Sequence, residues 1–222
     1  MHHQIRTTAD GSSTLYIPEL NEHYHSIHGA CQESVHVFIN AGLLQFQHVK
    51  KEIKILEVGL GTGLNVLLSA RFAEDCSMKL DYLAIEPYPI DDNLLRQLNY
   101  NNLNQFIIPK NWIHKIAEAT KAEKVISLHT GFKLSIIKET IETFELPKQF
   151  DLVYFDAFGP QVQPEIWSEL NFKKIFDSMN PGGILVTYCA KGAVRRSMQN
   201  AGFVVERIPG PPGKREMLRA KK

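Results

Sequence analysis

The chain has 222 residues, 44% of them hydrophobic, enough for one sizeable core and a small appendage. Its formal net charge is only +1, which excludes a uniformly basic or acidic binding protein, but the charge is unevenly spread. No run reaches the roughly 18 apolar residues of a membrane-spanning helix, and no signal-type stretch opens the chain, so a cytoplasmic protein is expected.

Residues 1–25 read as an appendage, a β-hairpin extension. Gln4–Thr8 and Ser13–Ile17 are β-prone and flank Ala9-Asp10-Gly11-Ser12, a hairpin turn signal. Three histidines follow in His23-Tyr24-His25-Ser26-Ile27-His28. No carboxylate or thiolate stands at ligand spacing, so a cluster lining a cleft is expected there, with Tyr24 as a substrate-side candidate and no metal. Cys31, Cys76 and Cys189 are odd in number and lack Cys-x-x-Cys spacing, so neither a disulfide frame nor a zinc site is expected. Ser26–Ala41 shows helical periodicity, with Ile27, Ala30, Cys31, Ser34, Val35, Phe38 and Ile39 on one side and Gly42 at its end. This helix either lids a site, with Glu33 and Ser34 facing it, or is an ordinary surface helix.

Next comes Lys54-Ile55-Leu56-Glu57-Val58-Gly59-Leu60-Gly61-Thr62-Gly63-Leu64-Asn65, an apolar strand, a tight glycine turn and the start of an amphipathic helix. Open α/β sheets present nucleotide sites in this order. Glycine tolerates positive φ and lets a ligand approach the backbone. The Gly-x-Gly-x-Gly spacing resembles motif I of the class I S-adenosylmethionine (SAM) methyltransferases, which makes Glu57, Gly59, Leu60, Gly61, Thr62, Gly63 and Asn65 cofactor-binding candidates. Lys79–Glu86 reads as the following strand and delivers Glu86 at its carboxyl end, where an acid accepts ribose hydroxyls. Beyond Pro87-Tyr88-Pro89, the polar stretch Asn99–Thr130 holds helical candidates at Trp112–Ile116 and Glu118–Ile126. Long insertions of this kind carry substrate loops.

Phe132–Lys138 alternates as a third strand, followed by Glu139, a candidate for the adenine amino group or a helix first-turn acid. Phe150–Phe155 is an apolar strand that delivers Asp156-Ala157-Phe158-Gly159-Pro160 at the switch point of the sheet, opposite the glycine turn. Asp156 is the catalytic candidate there and Phe158 an acceptor-side one; the alternative is an Asx-turn. Pro164–Met179 reads as a helix, Ile184–Cys189 as the fifth strand, and Ala193–Ala201 as a short helix. Phe203–Ile208 and Glu216–Ala220 then pair as a final hairpin. From Lys191 onward there are nine basic residues and two acids, a local excess of seven positive charges against six net negative in the preceding 190 residues. Lys191, Arg195, Arg196, Lys214 and Arg215 are the phosphate-contacting candidates on that face.

Glu-Val-Gly-Leu-Gly-Thr-Gly-Leu-Asn (57–65), Asp-Ala-Phe-Gly-Pro with Pro-Glu-Ile-Trp (156–167), the block 181–196 and Pro-Gly-Pro-Pro-Gly-Lys-Arg-Glu-Met (209–217) together resemble the tRNA wobble-uridine aminomethyl methyltransferases. The resemblance runs from about His28 onward. It implies a Rossmann-like class I α/β fold over 26–222: a mostly parallel seven-stranded sheet, helices on both faces and an antiparallel C-terminal hairpin. It also implies methyl transfer from SAM to the amine of 5-aminomethyl-(2-thio)uridine at wobble position 34. The partner would be tRNA, held at its anticodon stem-loop, with Tyr24, Phe158 or Trp167 stacking on the base. In the fused members of this family the other half is an FAD-dependent oxidase. This chain ends after the hairpin, so no FAD is expected, and the aminomethyl substrate would come from a separate enzyme. The rival readings are a small-molecule amine methyltransferase or aminopropyltransferase of the same fold, and a non-catalytic RNA-binding module.

Overall fold

The computed structural model describes residues 2–103, 106–122 and 124–222. The chain opens with β1 (Gln4–Thr7), β2 (Ser13–Ile17) and β3 (Glu22–His23). Gln4 pairs with Tyr16 and Thr7 with Ser13 around the Asp10-Gly11 turn, and β3 adds a third, two-residue strand to the expected hairpin. Leu15 of β2 is fully buried within the main core, so the extension shares that core. The Asp10 carboxylate accepts from the Thr8 and Ser12 hydroxyls and from the Gln32 amide, tying the turn to the next helix.

That helix begins at Ala30 rather than Ser26. Ser26–Gly29 closes as a turn, Gly29 N–H to Ser26 O at 3.1 Å, and Gly29 sits at φ 147° against Asp10. α1 (Ala30–Ser34) then widens into a π-helical turn over Val35–Asn40. Ile27, expected on the buried face, is 55% exposed because it precedes the helix.

The doubly wound core follows: β4 (Glu52–Val58), α2 (Leu64–Asp75), β5 (Lys79–Ile85), α3 (Asp92–Leu95), the small pair β6 (Asn102–Leu103) and β7 (Phe106–Ile107), α4 (Lys110–Ala122), β8 (Ile126–Ser127) and β9 (Phe132–Ile137). It continues with β10 (Phe150–Phe155), α5 (Glu169–Ser178), β11 (Met179–Thr187), α6 (Gly192–Asn200), β12 (Val204–Pro209) and β13 (Glu216–Lys221). The helical candidate Glu118–Ile126 is divided: its first part belongs to α4, Glu123 lies outside the described residues, and Ile126 starts β8.

The main sheet runs β12-β13-β11-β10-β4-β5-β9-β8. The five central strands are parallel, and β13 turns back antiparallel on β11. β8 is an edge strand beyond the seven expected. Every residue of β10 is buried, the mark of a strand covered on both faces. One core holds Leu67, Tyr82, Phe132 and Tyr154; the other, across the sheet, holds Phe155, Trp167, Phe172 and Leu185. The helix expected over Pro164–Met179 is broken. Pro164–Trp167 makes a 3-10 turn, and Ser168 in extended backbone caps α5 by accepting from the Asn171 amide. Leu170, next to the new helix start, is 81% exposed.

Candidate active site

The carboxyl ends of β4, β5 and β10 open into a cleft of about 640 Å³. Its floor is built backbone on backbone. Gly59, at φ 91°, donates to Ile85 O (3.0 Å), while the Asp156 amide donates to Val58 O (2.9 Å). A Cβ on Gly59 would stand 2.7 Å from the Asp156 carbonyl oxygen, so only glycine lets the two loops meet. Gly61 donates to Glu86 Oε2 (3.1 Å) and Tyr88 N–H to Glu86 Oε1 (3.0 Å). Burial pushes the Glu86 carboxyl upward, and these amides pull against it.

Beneath the floor, Glu57 is 0% exposed. Asn65 Nδ2 donates both to Glu57 Oε1 (2.9 Å) and to Asp156 Oδ2 (2.8 Å). Burial holds Glu57 well above the ordinary carboxylate range. Asp156 is also raised, first by burial and then by the charge of Glu33. The loop that carries Asp156 is fixed by two side chains: Tyr188 OH donates to Ala157 O (2.9 Å), and Trp167 Nε1 to Phe158 O (2.8 Å).

The roof comes from the extension. Tyr24 packs on Gly61 and meets Phe158 edge-on at 5.0 Å. His25 lies between Thr14 and Thr62, and burial lowers its pKa to about 4, so it is neutral. Among the described residues no group of three or more His, Cys, Asp or Glu could hold a metal ion. On the far wall Lys214 Nζ reaches Glu33 Oε1 at 2.6 Å.

Of the candidates read from the sequence, Gly59, Gly61, Glu86, Asp156, Tyr24, Phe158 and Lys214 line the cleft together. Glu57, Leu60, Thr62, Gly63 and Asn65 are buried behind it and shape it without lining it. Glu139 is a correction: β9 ends at Ile137, the chain turns, and Glu139 is exposed while Thr140, Ile141 and Glu142 line the cleft. Lys214 is a second correction, since it turns inward to Glu33 instead of outward to solvent. Trp167 is a third: at 4% exposure, with its N–H engaged, it has no face to offer a base. Lys191, bonded to Gln161 (2.6 Å), and Arg215 line a shallower pocket of about 420 Å³ that shares Gly159, Gln161, Tyr188 and Lys214 with the cleft. Arg195 and Arg196 lie outside both pockets, Arg195 partly buried on α6 and Arg196 exposed.

The acidic lining was not foreseen from the sequence. Glu22, Glu33, Glu86, Glu142, Glu165 and Asp156 surround the cleft, with Lys214 as the one lysine among the described lining residues. These acids are scattered along the chain and no local spacing signals their convergence. The basic excess near the C-terminus therefore does not describe the cleft, which suits a cation. The arrangement also fits a bound SAM: Gly59 and Gly61 border the cleft without side chains, and Glu86 sets a carboxylate beyond the end of β5, where an acid can accept ribose hydroxyls.

The chain resembles known proteins in sequence and in fold. The family described as S-adenosyl-L-methionine-dependent methyltransferase matches residues 100–222. The chain is similar to the tRNA 5-methylaminomethyl-2-thiouridine biosynthesis bifunctional protein MnmC of Cupriavidus metallidurans, 30% identical over 94% of this chain and 32% of that one. It is likewise similar to the protein of that name from Burkholderia thailandensis, 28% identical over 92% of this chain and 33% of that one. The chain thus spans about one third of the length of these relatives. Among solved structures, MnmC2 from Aquifex aeolicus superposes with a TM-score of 0.78 at 25% identity, covering 99% of this chain and 70% of that one. The spermidine synthase of Thermotoga maritima shares the fold alone, at TM-score 0.50 and 11% identity over 99% of this chain and 71% of that one. By the match over residues 100–222, more than half of its length, the chain belongs to the S-adenosyl-L-methionine-dependent methyltransferase family.

Proposed function

We propose that this protein methylates the primary amine of 5-aminomethyl-(2-thio)uridine at the tRNA wobble position, giving 5-methylaminomethyl-(2-thio)uridine. The observation that carries the reading is Asp156, fixed at the end of β10 against the glycine turn, in a cleft whose lining acids suit an alkylammonium. The bifunctional relatives, named for tRNA 5-methylaminomethyl-2-thiouridine biosynthesis, support the tRNA nucleoside as the acceptor.

Gly59, Gly61 and Glu86 would hold SAM, with Leu60, Thr62 and Gly63 setting the turn. Bound there, SAM supplies an electrophilic methyl group. An alkylamine with a pKa of ~10 is mostly protonated at neutral pH and must lose a proton before it can act as a nucleophile. A carboxylate beside an ammonium stabilises the charged form, so Asp156 serves orientation first. Its own raised pKa makes it the better proton acceptor once the amine is aligned, and alignment with water exclusion supplies much of the rate. Tyr24 and Phe158, edge to face above the cleft, are the aromatic pair placed to bracket the base.

Lys191, Arg196 and Arg215 are exposed on the basic face and would contact anticodon-stem phosphates, with Arg195 at its edge. We assign residues 1–25 to an extension that roofs the site and 26–222 to the methyltransferase unit. A cytoplasmic setting accords with three free cysteines and with described helices too short or too polar to cross a membrane. The aminomethyl group would be produced by a separate enzyme.

Labelled SAM and tRNA bearing 5-aminomethyluridine, followed by nucleoside mass analysis, test the reading. Label on the wobble nucleoside, lost by about 100-fold or more in Asp156→Ala, is the expected result. Labelling of free polyamines or other small amines in place of tRNA would overturn it in favour of the small-amine rival.

A further inference from the structure

Asn65 is the second residue of α2, close to the position where an asparagine usually serves to cap a helix. It does not do so here: the N-cap is Gly63, left-handed at φ 74° and without a side-chain cap. The Asn65 amide instead points to the carboxyl ends of the two central strands β4 and β10. Its nitrogen stands 2.9 Å from Glu57 Oε1 and 2.8 Å from Asp156 Oδ2. An amide nitrogen has two hydrogens, so these two carboxyl groups use its whole donor capacity. Asn65 is 3% exposed and lies outside the cleft lining.

On the far side the buried Tyr82 hydroxyl neighbours Glu57, but no hydrogen bond of ordinary geometry closes there. Glu57 Oε2 and Asn65 Oδ1 are both buried without a hydrogen bond. Two carboxylates facing one neutral amide in a buried pocket cannot both stay ionised at low cost. Glu57, wholly buried on β4, is the one with every reason to keep its proton, whereas Asp156 borders the cleft. The three-glycine turn makes the contact possible, because it brings the end of β4 and the start of α2 side by side beneath the loop that follows β10.

We propose that Asn65 is a positioning residue that clamps the Asp156 carboxylate through Oδ2, with buried Glu57 as the neutral post that holds Asn65 in place. Asp156 then presents its other oxygen to the acceptor in a fixed orientation. Asn65 and Glu57 thereby leave the set of cofactor contacts and become the support of the acceptor side. The inference rests on the role of Asp156 under "Proposed function".

The test uses the full chain, wild type against Asn65→Ala and the isosteric Asn65→Asp. SAM affinity is measured by calorimetry, and methyl transfer to tRNA carrying 5-aminomethyluridine is followed across pH. A clamp predicts a kcat lower by about 10–100-fold, as for other supporting hydrogen-bond partners, with SAM affinity nearly retained. It also predicts that the acid limb of the rate profile moves to higher pH, because the hydrogen bond favouring ionised Asp156 is gone. Asn65→Asp, which adds a third carboxyl group, moves that limb further. SAM affinity falling in step with kcat would restore Asn65 to the cofactor side, and an unmoved limb with wild-type kcat would also overturn the clamp. If Asn65→Ala does not fold, Asn65→Asp carries the comparison. Wild-type protein that binds SAM but leaves tRNA unlabelled would count against the substrate reading alone. A carbon-detected NMR titration of Asp156 in wild type and variant then reads the clamp without substrate, and equal titration in both would overturn it.

Discussion

Lys214 Nζ stands 2.6 Å from Glu33 Oε1 and 4.0 Å above the ring of Tyr188, so a residue of the C-terminal hairpin loop is tied by charge to α1. The other Glu33 oxygen accepts from the Ser26 amide at 2.8 Å, which extends the tie to the segment behind the N-terminal sheet. Lys214→Met would leave Glu33, only 8% exposed, without its cation. We expect a stability loss of about 1–2 kcal/mol in urea, since stranding a buried acceptor costs more than the pair contributes. Methyl transfer should fall as well. Equal urea midpoints for variant and wild type would show that the tie is superficial.

The exposed basic residues should behave differently from Lys214. Replacing Arg196 or Arg215 with alanine is expected to lower the dependence of log K on log salt by about 1 for each phosphate contact removed, and to weaken all tRNAs alike. Lys214→Met should leave that slope where it is. Filter binding at several salt concentrations makes the distinction. A slope lowered by Lys214→Met, and untouched by the arginine variants, would place the phosphate contacts in the cleft.

Gly59→Ala brings a methyl group to 2.7 Å from the Asp156 carbonyl and asks alanine to adopt φ 91°. The backbone conformation alone costs roughly 1–3 kcal/mol, and relief of the clash pushes the Asp156 loop outward. The expected phenotype is a lower melting temperature together with loss of methyl transfer, read by scanning calorimetry and the labelling assay. A variant that melts like wild type would mean that the loops are free to separate.

His25 should make the protein sensitive to mild acid. Its pKa is about 4 in the fold, lowered by burial, against an ordinary value near 6.5 in the unfolded chain. Neutral His25 is compatible with the fold, so its contribution is present above pH 6.5 and is lost as the pH falls towards 4, by about 3 kcal/mol at the limit. Thermal melts between pH 7 and pH 4 in wild type and His25→Gln check this. A variant with the same acid sensitivity would assign that sensitivity to other groups.

The strand, glycine turn and helix at 52–75 were legible because burial on both sheet faces leaves continuous apolar runs, and because the acids Glu86 and Asp156 mark strand ends. The places that escaped sequence reading have physical causes of their own. Apolar spacing continues across the widening of α1 into a π turn and across the break at Ser168, where the Ser168 side chain caps a new helix, so periodicity does not register either change. Glu139 lies beyond Ile137, where β9 ends, and past that point the alternation of the strand no longer predicts a facing. The charge of Lys214 is plain in the sequence, but charge does not reveal that its partner lies 181 residues earlier in the chain.

The contact between Gly59 and the Asp156 carbonyl has a mechanical consequence. Two loops joined main chain to main chain, with no side chain between them to swing aside, cannot slide past one another. The lower jaw of the cleft is therefore a single stiff piece. Any breathing that admits a bulky nucleoside and discharges the methylated one falls to the upper jaw, where Tyr24 rests on Gly61, His25 lies against Thr62 and Asn99 and Tyr100 bond the backbone of Gly11 and Ser13.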